Sequence, residues 1–257
     1  MNAPRKGSFL RSLFLSWRCF PPKPFFIAWL CAVIVVSESL GKNPDDSLVD
    51  PATSEDAITL ATFLNKGAAA NGKRTDDGTN ALMEAIADGD VDRVKVLLKK
   101  GVDVNTGEWT ALMWAAGNGQ ADVTEFLIDQ GAEVHARSAT GGMTALMWAA
   151  RGGHVDTIKL LFRKGADIHA ETQNGSTVLM WAAESGYANA VKALLDKGAD
   201  VHAKNRDGWT PLMWAAAGGH VDAVKVLLRK GADIHAKNKN GSTALMWAAE
   251  NGQVDAV

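Results

Sequence analysis

Residues 207–236 read DGWTPLMWAAAGGHVDAVKVLLRKGADIHA, and variants of this stretch fill the chain from residue 78 onward. Aligned on the residue before the first apolar run, the copies start at Asn80, Thr110, Thr144, Thr177, Thr210 and Thr243, separated by 30, 34, 33, 33 and 33 residues. Each of the first five then takes 23 residues to reach an acid, at Asp103, Glu133, Asp167, Asp200 or Asp233. All length variation therefore falls in the connector, as expected for a fixed packing unit joined by tolerant exposed loops.

Within the unit, Thr210 is placed to cap a helix and Pro211 follows where a missing N–H costs nothing. Leu212, Ala215 and Ala216 share one helical face, the alanines permitting close approach of another helix. Gly218 and Gly219 break this helix. A second begins near Val221, with Asp222 in its first turn, Val224, Leu227 and Leu228 as its buried stripe, and Arg229 and Lys230 in its last turn. Gly231 stands where a left-handed cap is required, and Asn240-Gly241 signals a tight turn. Each unit is helix, turn, helix and hairpin-like finger.

TPLMWAA, GGHVDAVKVLLRKGAD and the DGWT lead-in closely resemble the ankyrin repeat, over about residues 57–257. The resemblance implies an all-α ankyrin-repeat solenoid, elongated and curved, with a concave surface made of fingers and first helices. One departure is systematic. Where the family has His after Thr-Pro-Leu, this chain has Met113, Met147, Met180, Met213 and Met246, which keep the apolar packing and lose the family's His bond to the finger.

The 257 residues are 47% hydrophobic and 22% charged, which places the chain among ordinary globular proteins. Net charge is −2, but the first 39 residues carry five basic side chains and one acid, leaving 22 basic against 28 acidic groups. An acidic body argues against nucleic acid or an anionic membrane as the main partner. Both cysteines, Cys19 and Cys31, precede the repeats, so the body has no disulfide framework.

Residues 1–24 are basic and free of acids, and 25–36 are twelve apolar residues ended by Ser37-Glu38-Ser39. Such a run is too short to span a membrane and fits the core of a secretory signal. The expected organisation is a signal peptide or N-terminal anchor at 1–39, a linker at 40–56 and the repeat domain at 57–257. That domain begins with a half-unit, in which Leu60, Phe63 and Leu64 match Val224, Leu227 and Leu228. The expected location is periplasmic or secreted if the leader is cleaved, and otherwise membrane-anchored or cytoplasmic. The last unit stops as its second helix begins, so the sequence reads as a fragment of a longer chain whose uncovered last face offers a route to self-association.

Signals for chemistry are weak. Residues 67–74, GAAANGKR, approach the phosphate-loop pattern, but Arg74 replaces the hydroxyl and the segment follows a helix instead of a strand. His135, His169, His202 and His235 each lie two residues after an acid, which gives two ligands per candidate metal site where zinc needs four. No catalytic residues, cofactor or metal are expected. Asn174-Gly175-Ser176 and Asn240-Gly241-Ser242 fit a glycosylation acceptor, although the Asn-Gly turn accounts for both.

The tryptophans at 114, 148, 181, 214 and 247 form a register-matched column that reads as inter-repeat packing with some ring area exposed. Trp109 and Trp209, just before the capping Thr, read as binding anchors. By resemblance to the family, a protein partner is met by residues that vary between units. On the fingers these are Glu108, Trp109, Thr140, Met143, Gln173, Ser176, Arg206, Trp209, Lys239 and Ser242. At the ends of the first helices they are Arg151, Glu184, Ser185 and Glu250. The function expected is an exported protein-interaction module that binds a macromolecular partner on the concave face; the alternative is the targeting or scaffold part of a larger enzyme whose catalytic domain follows residue 257.

Overall fold

A computed structural model describes residues 81–107 and 109–256. The leader, the linker, the half-unit, the GAAANGKR segment and Glu108 lie outside the described residues. Among the described residues there are eleven α-helices, in five helix–turn–helix pairs and a final single helix. The pairs are α1 (Ala81–Ala87) with α2 (Val91–Lys99), α3 (Ala111–Gly117) with α4 (Ala121–Asp129), and α5 (Ala145–Gly152) with α6 (Val155–Arg163). They continue as α7 (Val178–Glu184) with α8 (Ala188–Asp196) and α9 (Pro211–Ala217) with α10 (Val221–Arg229). The last helix is α11 (Ala244–Glu250), followed by a 3₁₀ turn at Val254–Ala256.

Helices of seven to nine residues are too short to hold themselves in water. They persist here because each packs on its partner and on its counterparts in adjoining units. The first helices α1, α3, α5, α7, α9 and α11 form one row, and α4, α6, α8 and α10 form a second behind it. The alanine pairs 115/116, 149/150, 182/183 and 215/216 lie at the heart of the first row, each 3% exposed or less. Leu127, Leu161, Leu194 and Leu227 fill the space behind them and are fully buried.

Local signals behave as their chemistry dictates. The hydroxyls of Thr110, Thr144, Thr210 and Thr243 accept from the backbone N–H three residues on, at 3.3–3.4 Å. Thr177 does not; there the backbone N–H of Thr177 points at Met180 Sδ, 3.5 Å away. α10 ends with Gly231 N–H on Leu228 O and Ala232 N–H on Leu227 O, both 3.0 Å, with Gly231 at φ 89°. These paired bonds satisfy the last carbonyls of the helix.

Units are keyed together at the turn between their helices. Gln120, His154, Tyr187, His220 and Gln253 occupy one register, and each meets the corresponding turn of the preceding unit. Gln120 Nε2 donates to Ile86 O at 2.6 Å, and the Nε2 atoms of His154 and His220 bond Gly117 O and Glu184 O at 2.9 and 2.8 Å. Helix-terminal carbonyls that would otherwise face an apolar interface gain a donor in this way. The side chains fit because the preceding turn has no Cβ there: one built on Gly186, at φ +76°, would stand 2.3 Å from the His220 ring.

Two expectations for the second helices fail in a way that shows the role of neighbours. Leu228 is 41% exposed and Val224 only half-buried, whereas Ile158 and Val191, which match Val224, are fully buried. The position of Leu228 is only half-buried in the other units as well, at Leu98, Ile128, Phe162 and Leu195. Next to α10 the short 3₁₀ turn covers it and Val224 less than a full helix does. Likewise Leu245 and Met246 on α11 are 54% and 55% exposed, while Leu212 and Met213 on α9 are buried.

The slot geometry gives a differential test. Gly186→Ala combines left-handed strain with a clash against His220 and should cost about 2–4 kcal/mol by urea unfolding, whereas Gly165→Ala, with open space around its Cβ position, should cost about 1 kcal/mol. Equal losses at the two sites would mean that the turn is not an interlock.

Candidate functional site

From residue 137 onward each of four fingers is closed by a buried polar residue that the sequence reading did not single out. Asn205 Oδ1 accepts from the N–H groups of Asp207 and Trp209 at 3.0 and 2.9 Å, and Asn238 Oδ1 accepts from Asn240 and Ser242 at the same distances. Thr172 and Ser138 do the same work through hydroxyls, accepting from Ser176 N–H and Met143 N–H at 3.0 Å. The recurrence of a small polar residue five or six positions ahead of the capping Thr was the available signal. They hold the finger closed while the methionine column stays apolar; Met113, Met147, Met180 and Met213 are 2% exposed or less.

Successive fingers are bonded edge to edge through the backbone. Gln173 N–H reaches Gly141 O, Arg206 N–H reaches Asn174 O, and Lys239 N–H reaches Asp207 O, each at 2.9 Å. Arg137 also donates its guanidinium to Glu171 O across the same gap. The finger tips therefore form a continuous ribbon beside the first-helix row.

On that ribbon Thr140, Gln173, Arg206 and Lys239 are exposed and Ser242 is half-exposed. Met143 and Ser176, expected as contact residues, are instead 2% and 3% exposed. Their place at the finger base faces inward, so neither presents a side chain to a partner. At the ends of the first helices Glu250 is exposed, while Arg151, Glu184 and Ser185 are half-buried.

Trp109 and Trp209 occupy the same base position as Met143 and Ser176, and they too are drawn into the stack. The Trp109 ring lies 5.8 Å from Trp114 in its own unit and 5.2 Å from Trp148 in the next. Trp209 lies 4.6 Å from both Trp214 and Trp247. Each is thus a wedge between two column tryptophans, half-buried, with one edge on the finger-and-helix face. Among the described residues the indole N–H groups of Trp181 and Trp214 are buried without an acceptor, so these rings contribute apolar area and not hydrogen bonds.

Between Trp148 and Trp181 the wedge is a cation. The Arg151 guanidinium lies 5.7 Å and 5.6 Å from the two ring centres, a cation–π arrangement. Glu184, one unit on at the same register, is its electrostatic counterpart. Burial lowers the Arg151 pKa and raises that of Glu184, in each case against their mutual attraction. Burial therefore disfavours the charged form of each partner by more than their attraction favours it.

The four finger histidines are exposed and do not converge. The Asp-x-His spacing serves the backbone: Asp167, Asp200 and Asp233 each accept from the main-chain N–H of the following His at 2.8 Å. Asp103 does the same for Asn105 N–H at 2.9 Å, and the Asn105 side chain goes on to bond Gly131 O and Glu133 N–H in the next unit. Among the described residues there is no group of three or more His, Cys, Asp or Glu able to hold a metal ion, and no helix is long and apolar enough to cross a membrane. Two shallow clefts of about 70 and 80 Å³ lie between fingers at matching registers, bringing together His202, Lys204 and Asp233 in one and His135, Arg137 and Asp167 in the other. Both are far smaller than the volumes that enclose small-molecule ligands.

The family profile described as "Ankyrin repeats (3 copies)" matches residues 52–138, 136–205 and 198–257. The chain belongs to the ankyrin repeat family. It is similar over 66 residues, at 39% identity, to 2-5A-dependent ribonuclease of Mus musculus, covering 24% of this chain and 9% of that protein. It is similar over 69 residues, at 37% identity, to "Ankyrin repeat and SAM domain-containing protein 6" of Rattus norvegicus, covering 25% of this chain and 8% of that protein. The chain therefore spans less than a tenth of these relatives. As an ankyrin stack, the body is a protein–protein interaction module.

Two outcomes follow from the aromatic column. Trp209→Ala removes two ring–ring contacts and should lower stability by about 2–4 kcal/mol in urea unfolding; an unchanged midpoint would return Trp209 to the role of a free surface anchor. Glu184 binds its proton more tightly when folded, so its contribution is complete below the ordinary value of 4.5 and is lost as pH rises through the raised one. The melting temperature of Glu184→Gln relative to the parent should accordingly rise between acid and neutral pH, and a difference independent of pH would contradict the assignment.

Proposed function

We propose that this chain is exported and that its ankyrin stack binds a partner protein on the face made by the finger ribbon and the first-helix row. The observation that carries this is the contrast along that face. Backbone bonds lock the four fingers from 137 to 242 to one another, while the tip side chains that differ between units, Thr140, Gln173, Arg206 and Lys239, stand exposed. A preorganised surface of this sort loses little conformational entropy on binding and can select a partner by side-chain choice. Export is supported by the basic leader, the twelve apolar residues at 25–36 and the absence of cysteine from the repeats.

A second reading is favoured by one comparison. A protein named as a ribonuclease has a 66-residue segment 39% identical to this chain, so repeats of this kind also occur within an enzyme. On that reading the stack is the targeting part of a larger catalytic protein, and the gene downstream of residue 257 would encode the catalytic domain.

The immobilised chain should retain a specific protein from extract, and hydrogen exchange on the complex should protect residues 137–143, 171–176, 204–209 and 237–242. Protection confined to α4, α6, α8 and α10 would place the interface on the opposite face. For export, N-terminal sequencing of the expressed protein should find a start near residue 38 or 40; an intact Met1 in the soluble cell fraction would contradict cleavage and export.

A further inference from the structure

The finger tips are not alike in charge. Those at 137–143 and 171–176 carry one charged residue each, Arg137 and Glu171, and the Arg137 guanidinium is already engaged by backbone carbonyls. Those at 204–209 and 237–242 carry Lys204, Arg206, Lys237 and Lys239 against the single acid Asp207. All four cations are exposed, and among the described residues none of their side chains makes an ion pair or hydrogen bond. The bond from Lys239 N–H to Asp207 O fixes the two fingers side by side, so four cations are gathered across one finger boundary.

We propose that these two fingers form a cationic docking surface for an acidic peptide segment of the partner protein. The proposal rests on the interaction-module reading and names the chemistry that one end of the face selects. Four cations that no side-chain ion pair neutralises raise the local potential, and a flexible run of carboxylates relieves it. Lys and Arg at a rim act chiefly through encounter rate and selectivity, which suits a surface that must find one partner among many.

The setting favours a short peptide over an extended polyanion. The body outside the first 39 residues has 22 basic and 28 acidic groups, so the patch is a local basic island on an acidic molecule. Glu184 and Glu250 stand on the same face at the first-helix ends, and Asp200 and Asp233 lie at the bases of the same two fingers. A stiff nucleic-acid duplex or an anionic lipid surface laid across the two fingers would also meet an acidic molecule around the patch. A flexible peptide can bend its carboxylates onto the four cations and away from those acids, which a stiff duplex or a flat lipid surface cannot do.

The test is fluorescence anisotropy of a fluorescein-labelled octaglutamate peptide with the full 257-residue chain, at about 20 mM and about 150 mM salt. Binding at low salt that weakens at the higher salt is expected. The quadruple variant Lys204→Glu, Arg206→Glu, Lys237→Glu and Lys239→Glu should bind at least about tenfold more weakly. A control variant with the same change in net charge on the second helices, Lys95→Glu, Lys99→Glu, Lys159→Glu and Lys225→Glu, should retain most of the binding. Equal loss in both variants would show a net-charge effect and overturn the proposal. So would tighter binding of an eight-base-pair DNA duplex, or no binding of octaglutamate at all. None of these negative results would touch the broader reading, which stands or falls on where a captured protein partner protects the stack.

Discussion

Everything in this molecule depends on helices too short to be stable alone being held by their neighbours. A helix of seven residues closes few internal hydrogen bonds, so its persistence is a property of the interface on either side of it. The interface has three parts: alanine pairs that let first helices approach closely, leucines behind them, and a turn side chain that enters the space left by a glycine and donates to a helix-terminal carbonyl. Where a flanking element is short, the same residue types become exposed, as Leu228, Leu245 and Met246 show. Burial in this fold is conferred by the next unit and not by the residue itself.

That dependence also explains the face. The rows must be regular for the units to stack, so variation is confined to positions the stacking does not use, and these are the finger tips and the first-helix ends. The aromatic column lies on the boundary between the two roles. Trp109, Trp209 and Arg151 fill the gaps between column tryptophans and leave an edge outward, so a partner would meet groups already immobilised by packing.

The repeat period, the helix boundaries, the capping threonines and the glycine caps were legible in the sequence because each is a local effect with a local signature. What was not legible depended on which way a side chain points once the fingers close. Met143 and Ser176 were expected outside because they vary between units, but variation at that position reflects different ways of filling the base of a finger. Trp109 and Trp209 share the position, and only their size brings an edge to the surface. The finger-closing residues Ser138, Thr172, Asn205 and Asn238 were overlooked because small polar residues in a turn look like ordinary loop composition until their burial is known. The acid-x-His pairs looked like ligands, yet in three of the four the carboxylate is answered by a backbone N–H and the imidazole stays in solvent.

The central claim is that adjoining units stabilise one another across their interfaces. Hydrogen exchange on Leu161→Ala tests it most directly, because Leu161 is a fully buried core residue of α6. The account predicts faster exchange in α3, α4, α7 and α8 as well as in α5 and α6, with the effect fading toward α1 and α11. Faster exchange confined to α5 and α6, with the adjoining units as protected as in the parent, would contradict it.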